Sequence, residues 1–200
     1  MSDTIFTHDT SNYIMNGCKF LLSSPLQIPT NKMSIGIRKL MLSDMNNSYC
    51  SWLNDPETNR YLESRFINWD VEKLVKFYNS IDDKDLFLAI IDIEKDLHIG
   101  NIKISSLDAI HNRAELGLMI GDKRYWGKGI ATEAIRLVTD YCFSTLCLNK
   151  VTAGAYAENK ASINAFLKNG FLIEGERREH YLTETGWTSA ILLGKINKNS

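Results

Sequence analysis

Residues 114–143 constrain this chain more than any other stretch. An apolar run, Ala114-Glu115-Leu116-Gly117-Leu118-Met119-Ile120, leads into a basic turn, Gly121-Asp122-Lys123-Arg124-Tyr125-Trp126-Gly127-Lys128-Gly129. A helix-like segment, Thr132 to Phe143, follows at once. Strand, glycine turn and helix in that order can seat an anion. Glycines let the backbone bend and approach a ligand closely. The first amides of the helix have no partner within it and lie at the positive end of its dipole. Arg124 and Lys128 add charge. An ordinary turn that binds nothing stands beside this reading. The stretch lacks Gly-x-x-x-x-Gly-Lys-Ser/Thr and Gly-x-Gly-x-x-Gly, which sets aside a triphosphate loop and a dinucleotide fingerprint.

The rest of the chain frames this unit. Ile35 to Leu40 alternates as a strand, and Ser43-Asp44 caps a helix running through Leu53. Asn54-Asp55-Pro56-Glu57 breaks and restarts a short helix, and Leu74, Phe77, Tyr78 and Ile81 recur at helical spacing over 70–81. Residues 86–91 read as a central strand and 97–104 as its antiparallel return, before a loop over 108–113. A helix over 128–144, a strand over 150–156 and a helix from Asn159 to the C-cap Gly170 come next. Two strands, from Phe171 and from Trp187 to Leu193, close the chain around the turn Glu184-Thr185-Gly186. The expectation is a mixed α/β fold with helices on both faces of the sheet. Residues 1–33, broken by Ser23-Ser24-Pro25 and Ile28-Pro29, read as an N-terminal extension, and 34–200 as one domain.

Bulk properties narrow the class. A formal charge of −1 argues against broad nucleic-acid binding. No apolar run reaches the roughly 18 residues of a membrane span, and Met-Ser-Asp-Thr-Ile-Phe does not open like a signal peptide, so a cytoplasmic location is expected. Cys18, Cys50, Cys142 and Cys147 form no Cys-x-x-Cys pair and read as buried thiols. No His, Asp or Cys set has metal-ligand spacing, so no metal is expected. A monomer and a homodimer both remain open, since Phe20-Leu21-Leu22 would cover a neighbour as well as its own body.

Three segments then point to a family. Arg124-Tyr125-Trp126-Gly127-Lys128-Gly129-Ile130-Ala131 resembles the Gln/Arg-x-x-Gly-x-Gly/Ala motif of the GCN5-related N-acetyltransferase (GNAT) superfamily. Asn159-x-x-Ser162, followed by Gly170-Phe171, is similar to its second motif, and Ala114-Glu115-Leu116-Gly117 resembles its fourth strand. The resemblance covers about residues 35–196. Within the superfamily the chain looks like the ribosomal-protein N-acetyltransferase branch. The segment from Trp52 to Leu62 is similar to branch members acting on nucleotide-linked amino sugars.

The resemblance implies an acyl-CoA N-acyltransferase fold, with a mostly antiparallel twisted sheet splayed between the family's fourth and fifth strands, here 114–120 and 150–156. Acetyl-CoA would lie in the splay, its pyrophosphate on backbone amides from Arg124 to Ala131. Leu118, Met119 and Ile120 would line it from the strand, one of them facing the developing oxyanion. Asn159, Ser162 and Phe166 would line it from the second motif, and Asn159 also reads as a helix cap. Glu115 would be the general base, through a water, for a primary amine. Its plainer reading is a solvent-facing strand residue. Relatives often carry a proton-donating tyrosine where this chain has Phe166. Tyr156 is the substitute donor, or else the thiolate leaves unprotonated, and sheet packing is the ordinary reading of Tyr156.

The acceptor pocket would use Trp52, Asn54, Arg60 and Tyr61, with His111 and His180 as titratable candidates and Glu179 and Tyr181 nearby. Core packing is the other reading of Trp52 and Tyr61. The expected acceptor is a small metabolite such as a nucleotide-linked amino sugar. A protein N-terminus is the alternative, to which Glu57, Glu63 and residues 82–85 would lend an acidic groove, and an inactive acyl-CoA-binding module is the alternative of another class.

Overall fold

The computed structural model describes residues 26–29, 34–81 and 85–198. Eight strands form one sheet: β1 (Leu26–Pro29), β2 (Ser34–Lys39), β3 (Leu86–Asp92), β4 (Leu97–Asp108), β5 (Arg113–Ile120), β6 (Lys150–Tyr156), β7 (Leu172–Thr183) and β8 (Gly186–Ile196). Five α-helices accompany them: α1 (Asn47–Asn54), α2 (Pro56–Asn59), α3 (Val71–Ser80), α4 (Ile130–Ser144) and α5 (Lys160–Lys168). The strand order is β1-β2-β3-β4-β5-β6-β8-β7. Among the described residues only the β5–β6 pair is parallel, because the α4 crossover joins those two strands.

β3 explains why the sheet is covered on both sides. Its alternate residues serve two cores. Leu88 and Ile90 join a cluster with Ala134, Ile135, Val138 and Phe166 of α4 and α5. Ala89 and Ile91 join Tyr49, Leu53 and Leu74 of α1 and α3. A continuous apolar run is what a strand buried on both faces requires. Each such leucine or isoleucine stabilises the fold by about 1.5–3 kcal/mol.

The structure adds to several expectations. Residues 26–29 of the expected N-terminal extension pair antiparallel with β2, Leu26 opposite Ile37 and Pro29 opposite Ser34. Pro29 is tolerated because β1 is an edge strand. Residues 1–25 and 30–33 of that expected extension lie outside the described residues. β4 runs on to Asp108, through a register shift after Ser105. α4 begins at Ile130, not 128, because Gly129 is left-handed (φ +83°) and cannot be a helical residue. Cys50 and Cys142 are buried as expected, but Cys147 is exposed. Among the described residues no helix is long and apolar enough to cross a membrane.

Candidate active site

The sheet opens between β5 and β6. Register partners run only from Arg113–Lys150 to Leu116–Ala153. Beyond that point β6 stays with β8 as far as Tyr156–Ala190, and β5 stays with β4 as far as Ile120–Gly100. Residues 117–120 and 154–156 therefore face each other across a gap. Gly121 N–H donates to Ile99 O, which sets the alternation along β5. Leu118 and Ile120 then turn their amides into the gap, whereas Met119 turns its backbone toward β4. Consistently, a Cβ on Gly100 would lie 2.4 Å from the Met119 carbonyl oxygen. The Met119 side chain packs against the α1–α3 cluster.

The turn at the wide end of the gap is built by its own side chains. Asp122 accepts from the Arg124 amide (3.0 Å) and grips the Arg124 guanidinium (2.6 Å to Oδ2). That guanidinium holds the Asp122 carboxyl below its usual range against the opposing effect of burial. Tyr125 is buried, and its hydroxyl donates to Asp92 (2.6 Å) and accepts from Lys95 (3.2 Å). Trp126 Nε1 donates to Ile120 O (2.8 Å). Behind the turn, the Trp52 ring fills the place where Gly121 has no side chain; a Cβ there would sit 2.2 Å from it.

The open part of the turn follows. Gly127 and Gly129 are left-handed, at φ +69° and +83°, and a Cβ on either would meet nothing within 4 Å. α1, α2, α3 and α5 each begin with an Asn or Asp that caps their amides through its side chain: Asn46, Asp55, Asp70 and Asn159. α4 begins with Gly129 and has no side-chain cap. The first-turn amides around Ile130 and Ala131 thus keep their donors for an anion beside a clear backbone surface.

The α1–α3 face of the sheet at the gap carries a different chemistry. Glu115 pairs with Thr152, so Glu115, Gly117, Thr152, Gly154 and Tyr156 share the α1–α3 face. Glu115 is exposed there and leans over β6, its Oε1 3.8 Å from where Gly154 would carry a Cβ. Tyr156, 4% exposed, stacks on Tyr181 with centroids 4.0 Å apart and planes at 11°. Tyr61 leans on Tyr156 at 5.5 Å. The Tyr156 hydroxyl donates to Glu63 Oε1 (2.5 Å) and accepts from Arg65 Nη1 (2.8 Å). Burial, then the bond to Glu63, push this phenol up to about 12. Burial and the charges of Glu63 and Glu115 also raise Tyr181. Two carboxylates and three tyrosines thus converge on one trough beside the gap.

A family profile described as an acetyltransferase (GNAT) domain matches residues 34–172. The chain belongs to the GNAT family. An uncharacterized N-acetyltransferase, p20, from Bacillus licheniformis is 32% identical over 149 residues, 72% of this chain and 82% of that one. The spermidine N(1)-acetyltransferase of Escherichia coli K12 is 34% identical over 92 residues, 46% of this chain and 49% of that enzyme. The chain therefore matches about half the length of that relative. Among solved structures, the spermidine N-acetyltransferase of Vibrio cholerae with CoA and spermine superposes with a TM-score of 0.72 at 22% identity, covering 82% of this chain and 95% of that one. At that identity the likeness carries the fold.

The GNAT chain is thus an acetyl-CoA-dependent N-acetyltransferase with the mixed α/β acyl-CoA N-acyltransferase fold, its sheet split where the resemblance implied. The uncapped α4 and the two clear glycines fit a pyrophosphate, and the Leu118 and Ile120 amides fit the arm of a cofactor lying in the gap.

Several expected site residues have other partners. Trp52 is half-buried against Tyr49, His98 and Gly121, so its ring supports the turn from behind. The Asn54 amide is spent on Trp69, donating to its O (2.7 Å) and accepting from its N (2.8 Å). Phe166 is 1% exposed and packs edge-on against Phe171. The Tyr125 side chain anchors the turn to β3 through Asp92. His111 lies before β5 at the closed end of the sheet, away from the gap, and its N–H caps onto Asp108. Asn159 Oδ1 accepts from the Ser162 amide (3.1 Å), the capping role. Lys128 sits 5.7 Å from the Tyr125 ring centroid, at the turn. Arg60 lies at the rim over Tyr61, and His180 packs on Tyr181. Arg65, central to the trough, went unread because its partners are 91 and 117 residues away.

Proposed function

We propose that the protein acetylates a primary amine of a small cationic molecule, with Glu115 as the general base acting through a water. The observation that carries this reading is the convergence of Glu115 and Glu63 on a tyrosine-walled trough beside the β5–β6 gap. Acetyl-CoA supplies the acetyl group as an activated thioester. The residues of the turn and of α4 hold its phosphates, and the Leu118 and Ile120 amides orient its arm. An ammonium has no lone pair, so Glu115 takes a proton before the amine reacts. Glu63 and the half-buried rings of Tyr61 and Tyr181 hold the remaining positive charge of the acceptor. Tyr156 serves as a wall in this reading. Its proton is committed to Glu63 and its pKa is high, which makes it a poor acid for the leaving thiolate. The thiolate departs to solvent.

Such a trough suits a linear polyamine, and the spermidine acetyltransferases among the relatives support that choice. One observation favours a second reading, a nucleotide-linked amino sugar. Arg60 is exposed at the rim beside the Tyr61 ring, where it would meet a phosphate while the ring stacks on a base or sugar. Thiol release from acetyl-CoA against spermidine, nucleotide-linked 4-amino sugars and a short peptide separates these readings. Turnover of the peptide alone would overturn both and restore the ribosomal-type alternative.

A further inference from the structure

One side chain links three parts of the acceptor trough and belongs to none of the motifs. The Arg65 side chain is only 15% exposed. Nη1 donates to Leu62 O (2.9 Å), in the preceding loop, and to the Tyr156 hydroxyl (2.8 Å), at the end of β6. Nη2 donates to Leu182 O (2.8 Å), on the β7–β8 hairpin. Its guanidinium also lies 4.2 Å from the Phe66 ring centroid.

The bonds also have a direction. A guanidinium can only donate. Arg65 therefore occupies the Tyr156 oxygen as acceptor and sends the phenolic proton to Glu63. The chain Arg65 to Tyr156 to Glu63 cannot reverse. With the direct Arg65 Nη1–Glu63 Oε1 ion pair (3.7 Å), it draws the Glu63 carboxylate, whose side chain is 68% exposed, against Tyr156.

We infer that Arg65 is a positioning residue for the acceptor: it clamps the 3-10 turn over Glu63–Phe66 to the β7–β8 hairpin and, directly (3.7 Å) and through Tyr156, holds the Glu63 carboxylate where the amine binds. This rests on the proposed function. Nothing in the clamp touches the α4 turn, so the acetyl-CoA side is independent of it.

The test compares wild type, Arg65→Ala and Arg65→Lys with spermidine as the probe. Direct binding of spermidine is measured by calorimetry, and kcat and both KM values by thiol release. Losing the three charge-assisted bonds predicts that Arg65→Ala weakens spermidine binding and raises its KM by about tenfold or more. The acetyl-CoA KM stays within about twofold, as expected for a site sharing no partner with Arg65. Added guanidinium restores part of the loss in Arg65→Ala. Arg65→Lys recovers little, since an ammonium cannot reproduce the planar fork. Unchanged spermidine binding in Arg65→Ala, or equal rises in both KM values together with a lower melting temperature, would overturn the inference. A wild type that binds and acetylates no amine would instead overturn the functional reading beneath it.

Discussion

Glu115 Oε1 lies 3.8 Å from the position a Cβ would take on Gly154, across the parallel β5–β6 pair. The strand that forms one wall of the gap thus gives up a side chain where the carboxylate needs room. Glu115→Gln keeps the shape and removes the base. Its expected effect is a fall in kcat of about 10²–10⁴-fold with acetyl-CoA binding retained. Gly154→Ala adds a methyl at ordinary contact distance and stays active. Gly154→Val reaches the carboxylate and lowers kcat/KM further. Steady-state kinetics of the three variants check the ordering.

The α4 turn makes a separate prediction. Gly129→Ala forces a left-handed residue, at a cost of about 1–2 kcal/mol, and puts a methyl on the surface left clear for the phosphates. The affinity for CoA falls about tenfold or more by calorimetry, since 1.4 kcal/mol is a factor of ten. Spermidine binding, measured without CoA, is unaffected.

Trp52 and Gly121 behave as one unit. Gly121→Ala drives a methyl into the indole and destabilises the fold by about 1–3 kcal/mol. Trp52→Ala clears that space. The double variant is then less destabilised than the two single losses added together, a coupling read from denaturant midpoints.

Acid stability follows from two groups near α1. Burial holds His98 below the usual histidine range, with Asp44 opposing, so folding favours its neutral form. The unfolded chain binds the extra proton first, so stability falls as pH drops below about 6.5. Burial alone would raise Asp44, but the paired bonds from Arg38 (2.7 Å each) and the Met41 amide win and lower it. That contribution is complete above about pH 4 and is lost as pH falls through the lowered value. Asp44→Asn flattens the lower part of the curve and His98→Gln the upper part. Thermal melts across pH 3–8 test both.

The unit from Ala114 to Phe143 was legible because its signals are local: an apolar strand, glycines and an apolar helix within 30 residues. The split between 114–120 and 150–156 followed from the family resemblance. β1 was not legible, because Leu26–Pro29 is a strand only by pairing with β2, and Pro29 reads as a breaker in isolation. His111 looked close to Glu115, yet it lies in the turn before β5, where its amide donates to Asp108, at the closed end of the sheet. Asn54 and Trp52 have polar or aromatic side chains that suit a pocket. Their partners, Trp69 and Gly121, claim them through contacts 15 and 69 residues away. Arg65 shows the same limit from the other side.

The central claim is that Glu115 and the adjoining acidic trough direct acetyl transfer to a small cationic amine. The most direct measurement is thiol release from acetyl-CoA with spermidine, run on wild type and Glu115→Gln across pH. Wild type is expected to turn over spermidine, and Glu115→Gln to lose most of that rate at every pH while still binding acetyl-CoA. Full activity in Glu115→Gln, or turnover confined to nucleotide-linked sugars or peptides, would contradict it.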